Sequence, residues 1–205
     1  MERKRSDHEA IKKKPSGAAV MQEEVTRALT RAFFEEWARS GYGALSLEAV
    51  AARAGVGKAA LYRRWPSKLA LATERLEAVG IPATAYVDAG SFEADTLTLL
   101  RSLRRLLRHP LVRRILPDLH AEMLRNVELA HAVRGRLQTE RRRRAADIFN
   151  RAKERGEVDQ DADPELFSDL VGSMIYWRVI VTNARVDQAY LRMLTALVVK
   201  AFRKT

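Results

Sequence analysis

The side chains with most to offer a partner lie between Ser46 and Leu71, in the run SLEAVAARAGVGKAALYRRWPSKLAL. No carboxylate occurs between Glu48 and Glu74, while Arg53, Lys58, Arg63, Arg64 and Lys68 all fall inside. At helical spacing Lys58, Tyr62 and Arg63 stack on adjacent turns of one face, and Leu61 and Trp65 turn the other way. Cations on a face cleared of carboxylates suit contact with a polyanion, since a nucleic-acid duplex carries one negative charge per ~1.7 Å of its axis. Ser46 and Ser67 each stand where a helix opens. A hydroxyl and open backbone N–H groups there suit a phosphate.

Such a face needs elements that hold it still. The pattern predicts two short helices, about 47–54 and 58–64, broken by Gly55-Val56-Gly57, which is the outline of a helix-turn-helix. Leu47, Val50 and Ala51 face Val56, Leu61 and the ring of Tyr62, and Gly55 permits a positive φ at the turn. Upstream, Val25, Leu29, Ala32, Phe33 and Trp37 mark one face of a helix over about 18–39, ended by Gly41. Downstream, Ser67 caps a helix over about 68–79, and 81–90 reads as a linker.

The remaining pattern is helical too. It predicts helices over about 92–108, about two turns between Pro110 and Pro117, and two helices over 118–155 meeting near Asn126. Gly156 suits the position just past a helix end, and Asp163-Pro164 is a strong start signal for an apolar helix reaching about Asn183. Asp187 opens a last helix. With no convincing strand, the fold class is all-α.

Composition narrows the function classes. The chain has 205 residues, 37 Lys+Arg against 26 Asp+Glu (net +11) and no cysteine. Thiol catalysis, disulfides and iron–sulfur or zinc–thiolate sites are thereby excluded. Residues 1–80 carry 15 basic and 10 acidic side chains and the rest 22 and 16, so bulk charge favours an anionic partner without locating its face. No apolar run reaches the ~18 residues of a membrane span, and no secretion signal is read at the N-terminus, so a cytoplasmic protein with no membrane partner is expected. There is no glycine-rich phosphate loop, nucleophile motif or carboxylate pair with a nearby base, so no enzyme and no cofactor are expected.

The segment from Phe33 to Leu71 resembles the N-terminal DNA-binding domain of the tetracycline-repressor (TetR) family of transcriptional regulators. The resemblance covers about residues 18–79. It rests on an aromatic-rich first helix followed by Gly-Tyr-x-x-Leu-Ser, Ala-x-x-Ala-Gly-Val and Leu-Tyr-x-x-aromatic-x-x-Lys-x-x-Leu. Residues 1–17, poor in apolar side chains and carrying two basic clusters, read as a mobile arm. The resemblance implies a DNA-binding domain over 18–79, of three helices and a fourth that links it to a helical effector-binding and dimerisation domain over 80–205. It also implies a homodimeric repressor released from its double-stranded DNA operator by a small-molecule effector. By position, Tyr62 and Lys68 match backbone-contacting residues and Ser46 a capping, phosphate-touching one. Lys58, Ala59, Ala60, Arg63 and Arg64 fill base-facing or backbone-facing slots. Gly57, Ala59 and Ala60 depart from the hydroxyl or larger polar group usual there, so base reading would lean on Lys58, Arg63 and methyl contacts to thymine.

A two-turn recognition helix meets few base pairs, so two copies should read a palindromic operator with half-sites about one turn, ~34–36 Å, apart or somewhat more. The dimer face is expected on the last two helices, at Leu170, Met174, Val181, Tyr190, Leu194, Leu197 and Val198, two helices from each subunit. An unknown small-molecule effector is expected between the middle helices, near Tyr86, Met123, Phe149, Met174, Tyr176 and Trp177. The eleven-residue spacing of His109, His120 and His131 reads as surface or pocket-lining histidine and not as a metal set, because Pro110 and Pro117 should interrupt a common helix. Glu140 to Arg144 reads as a solvated helix with Glu140 pairing Arg144, and Arg101, Arg104, Arg105 and Arg108 as a basic helix side.

Overall fold

The computed structural model describes residues 17–83 and 88–203, with side chains from Met21 onward. Of the arm expected over 1–17, residues 1–16 lie outside the described residues, as does Tyr86, and Gly17 already belongs to the first helix. The chain runs α1 (Gly17–Ala44), α2 (Leu47–Ala54), α3 (Lys58–Arg64), α4 (Lys68–Ala83), α5 (Phe92–Arg108), α6 (Pro110–Met123), α7 (Val127–Glu154), α8 (Pro164–Tyr176) and α9 (Gln188–Phe202). A single bridge between Val158 and Arg203 is the nearest approach to a sheet among these residues. The all-α class holds.

Sequence-level stops and starts account for most boundaries. Ser46, Ser91, Asn126, Asp163 and Asp187 each cap a helix by accepting a backbone N–H on the first turn. Gly156, at φ 69°, follows the end of α7 as expected. Gly41, at φ 77° and ψ 162°, kinks α1, and one more turn carries the chain to Ala44. Two prolines do not break their helices. Pro82 sits in the last turn of α4, which therefore runs past the expected end at residue 79. Pro117 lies inside α6, so 110–123 is one helix and not two turns followed by another. A mid-helix proline costs about 3 kcal/mol; burial of Ile115 and Leu119 on either side of it offsets that cost.

Two apolar cores result. One joins α1–α4 through Leu29, Phe33, Trp37, Val50, Leu61 and Leu71, and draws in Ile115 and Leu119 of α6 and Leu129 of α7. The other fills the C-terminal bundle around Phe92, Phe149, Phe167 and Phe202, whose rings meet edge-on or tilted at 5.2 to 6.5 Å. Leu116 packs against both. Helix α6 is thus the beam on which the N-terminal three-helix unit rests. After α8 the backbone widens into a π turn over Trp177–Val181, closed by the Thr182 N–H on the Trp177 carbonyl at 2.9 Å.

Candidate nucleic-acid interface

The α2–α3 pair has helix-turn-helix form. Gly55 takes φ 66°, and its N–H and that of Val56 return to the last carbonyls of α2. Gly57 then opens α3 without a side-chain cap. Leu61 and Trp65 are buried, while Lys58, Ala59, Tyr62 and Arg63 are exposed and Ala60 and Arg64 half-buried. The expected face is therefore the one left to solvent.

The polar side chains divide by what already holds them. Lys58 and Arg63 make no ion pair with the described residues. Arg64 donates to Thr26 Oγ1 of α1 at 2.5 Å and so braces α3 against α1. Lys68 Nζ donates to the carbonyls of Tyr42 (2.7 Å) and Gly43 (3.1 Å) and stands 4.5 Å over the Tyr42 ring. Ammonium has three donors, so one remains for an incoming phosphate. Ser46 Oγ caps α2 by accepting from Ala49 N at 3.3 Å.

Sequence reasoning took Glu48 only as the edge of the acid-free run. Its carboxylate in fact accepts from both hydroxyls expected to meet phosphate, Tyr62 at 2.8 Å and Ser46 at 2.9 Å. The Tyr62 bond, first among several contacts, lowers the Glu48 pKa, and the same bond raises that of Tyr62. An exposed carboxylate therefore occupies both hydroxyls that the resemblance assigns to phosphate. Asp118 was also missed, because it lies 76 residues from the Tyr42 N–H that it accepts. Buried Glu36 is a third such group. It joins α1 to α2 by accepting from Arg39 and Arg53, and those bonds, Arg39 first, hold its carboxyl below the usual range against the opposing effect of burial. Only its place beside the apolar stripe of α1 hinted at this.

The described residues among those expected to line an effector pocket do not converge. Phe149 is locked in the aromatic core, Met123 packs against the N-terminal core, and Met174 and Trp177 are on the outside at 37% and 61% exposure. Tyr176 instead meets His120, hydroxyl to Nδ1 at 3.0 Å, with burial lowering the His120 pKa. His109 caps α6 through the Leu111 N–H. Among the described residues, cavities lie elsewhere. A groove of ≈ 590 Å³ runs between Phe92, Glu157 and Arg203, and a cleft of ≈ 180 Å³ lies among α4, α5, α7 and α8. At that cleft Arg144 does not pair with Glu140 as expected. It turns inward to the Ile81 carbonyl at 2.5 Å, and Glu140 takes Arg143 at 3.0 Å.

The expected interface on the last two helices is corrected in part. Leu194 (3% exposed) and Val198 (0%) belong to the protomer's own core, because α9 turns that stripe onto α5. Leu170 and Tyr190 are half-buried, and Arg178 covers the Tyr190 ring at 4.2 Å. Met174, Val181 and Leu197 are exposed, joined by Leu166, Trp177 and Met193. The π turn keeps Trp177 and Val181 outward while Val179 goes in.

Known proteins share this arrangement. Residues 29–74 match the profile of the bacterial regulatory proteins of the tetR family, and residues 86–198 that of the tetracyclin repressor-like C-terminal domain. The DNA-binding transcriptional repressor TetR of Mycobacteroides abscessus is 30% identical over 75% of this chain and 80% of its own. The HTH-type transcriptional regulator YdeS of Bacillus subtilis is 26% identical over 86% and 87%. Among solved structures, the TetR family transcription regulator SCO0332 superposes with a TM-score of 0.68 at 29% identity, covering 88% of this chain and 100% of that one.

Proposed function

Given that the chain belongs to the TetR family of DNA-binding transcriptional regulators, we propose that it acts as a homodimeric repressor on a palindromic operator and leaves it when a small effector binds the C-terminal bundle. The observation that carries this reading is the exposed face of α3, where Lys58, Ala59, Tyr62 and Arg63 project with no carboxylate on their own helix. Pairing of two copies is supported by Met174, Trp177 and Val181 and by Met193 and Leu197, large apolar side chains left exposed at helical spacing on the last two helical segments, since exposed apolar surface of this kind marks an interface. Two such helices per protomer suit a four-helix contact with a two-fold axis. Among the described residues no helix is long and apolar enough to cross a membrane. A partner as abundant in the cytoplasm as DNA makes that the compartment we propose.

The test is selection of duplexes from a random pool by the full chain at moderate salt. A palindromic consensus bound by a dimer supports the reading. Uniform retention of all sequences, with binding set by salt alone, would overturn it.

A further inference from the structure

We propose that the arginines where α5 meets α6, namely Arg101, Arg104, Arg105, Arg108, Arg113 and Arg114, form a second phosphate-contacting face. It holds the backbone of the same duplex whose bases α3 meets. The proposal rests on the DNA-binding reading above and adds to it a contact made by the C-terminal bundle.

No carboxylate occurs between Asp95 and Asp118, and all six arginines fall in that stretch. Helical spacing puts Arg101, Arg104, Arg105 and Arg108 on the side of α5 opposite Phe92, Leu99 and Leu103, which pack on the aromatic core. Arg104 is half-buried and the other five are exposed. Among the described residues none of the six makes an ion pair. Arg113 donates to Asn183 Oδ1, a neutral acceptor. Arg178 and Arg185 are left out of the face, because their charge already acts on Asp187.

A merely solvated face looks different in this protein. On α7, Arg136, Arg141, Arg142, Arg143 and Arg151 each meet a carboxylate. The α5 cluster instead sets like charges at i,i+3 and i,i+4, which weakens a helix. The dipole of α5 favours Arg105 and Arg108 in its last turn. That of α6 disfavours Arg113 and Arg114 near its N-terminus, where the first turn holds no acid. Folding has no need of such a cluster. Several cations without counter-charge suit a polyanion better than a single carboxylate, and guanidinium can fork to phosphate.

Position selects the polyanion. At about 1.5 Å per residue along α5, Arg108 stands about 24 Å from Phe92 and from the end of the bundle where the Phe92 N–H meets Glu157. Beside Arg108 begins α6, the helix packed on α1. Arg114 lies one turn before Asp118 on the same side of α6, and Asp118 accepts the N–H of Tyr42, the residue whose carbonyl Lys68 grips. The arginine face is thus continuous with the Lys68 corner, and one duplex can run across both.

The experiment uses the full chain and its selected operator, with anisotropy titrations from about 50 to about 200 mM salt. One probe is the double variant Arg108→Gln with Arg114→Gln. Its control is Lys153→Gln with Lys200→Gln, which removes equal charge in the last turns of α7 and α9. The arginine double should weaken all duplexes alike and reduce the salt slope by roughly 1.8, about 0.9 per phosphate contact, so that its deficit shrinks about tenfold over that range. The lysine double should leave the slope as it is. Arg108→Lys with Arg114→Lys should restore most of the slope, and circular dichroism should show the parent's helix content throughout. An arginine double with the parent's slope, or a lysine double with the same loss, would overturn the proposal. If Lys68→Ala still flattens the slope in that case, the DNA-binding reading stands and only the second face falls. If the parent binds no duplex, that reading falls and the second face with it. Capture of a second labelled duplex, or of phosphatidylglycerol vesicles, that needs the arginines while the operator slope does not would also overturn it.

Discussion

Asp118 on α6 and Trp37 on α1 are joined by a hydrogen bond from indole Nε1 to carboxylate Oδ2 at 2.6 Å, and the same oxygen accepts the Tyr42 N–H at 2.9 Å. The other oxygen fills the space beside Gly41, where a Cβ would stand 3.0 Å from it. One side chain of the C-terminal bundle therefore fixes the kink that presents the Tyr42 and Gly43 carbonyls to Lys68. Asp118→Ala leaves the buried Trp37 and Tyr42 donors without their acceptor, at about 1–3 kcal/mol each. Urea unfolding should show that loss. Because Lys68 loses its aim, the salt dependence of operator binding should flatten as it does for Lys68→Ala, and the double variant should flatten no further.

Glu48 holds the hydroxyls of Ser46 and Tyr62, and if these meet phosphate it must compete with DNA for them. Glu48→Gln removes the charge and Glu48→Ala also frees both hydroxyls. Each should tighten operator binding by roughly threefold to tenfold at low salt, with the gain shrinking as salt screens the surface. Anisotropy titrations across a salt series would measure it. Weaker binding by both variants would mean that Glu48 orients Tyr62 for DNA.

The arginines of α3 should separate by role. Arg63→Ala should cost ~1–3 kcal/mol in operator affinity and relax preference at one base position if Arg63 forks to a guanine. Lys68→Ala should weaken all duplexes alike and reduce the salt slope by about one. Arg64, tied to Thr26, should show itself mainly in the thermal stability of the N-terminal unit. Base-by-base competition with single-site operator variants distinguishes these outcomes.

Local signals made the recognition unit legible from the chain itself. Ser46, Gly55 and the Leu61–Trp65 stripe each act within a few residues, and the structure keeps all of them. What failed was long-range. Pro117 reads as a breaker until α6 is seen packed on α1, and Arg144 reads as a surface cation until α4 ends beside it. Leu194 and Leu197 are alike as letters, and only the rotation of α9 against α5 sends one inward and the other out. Glu48 lay just outside the charge window because the turn folds α2 back onto α3, which no count along the chain records.

Acid should loosen the α1–α2 contact through Glu36. Its folded pKa lies below the ordinary 4.5, so its ion pairs with Arg39 and Arg53 stabilise the fold at neutral pH. That contribution is complete above the unfolded value and fades as pH falls through the lowered folded value. Glu36→Gln keeps the shape and loses the charge. It should cost about 1–3 kcal/mol at pH 7 and flatten the acid limb of the stability profile below pH 4.5, read by urea midpoints across pH.

The pairing face can be separated from the core by two classes of substitution. Trp177, at 61% exposure, and Leu197, at 54%, are more open than a folded chain of ordinary solubility needs. Trp177→Asp or Leu197→Asp puts charge into a contact that two copies would dry out, so each should give a monomer by light scattering while circular dichroism and the thermal midpoint of the protomer stay close to the parent's. The monomer should also lose its preference for a two-half-site duplex over a single half-site, because the second recognition helix is no longer tethered at the right spacing. Leu194→Asp is the contrasting case, since it buries a carboxylate in the protomer's core and should unfold the C-terminal bundle outright. If Leu197→Asp stays dimeric, the two copies meet elsewhere and the apolar stripe on α8 and α9 serves another partner.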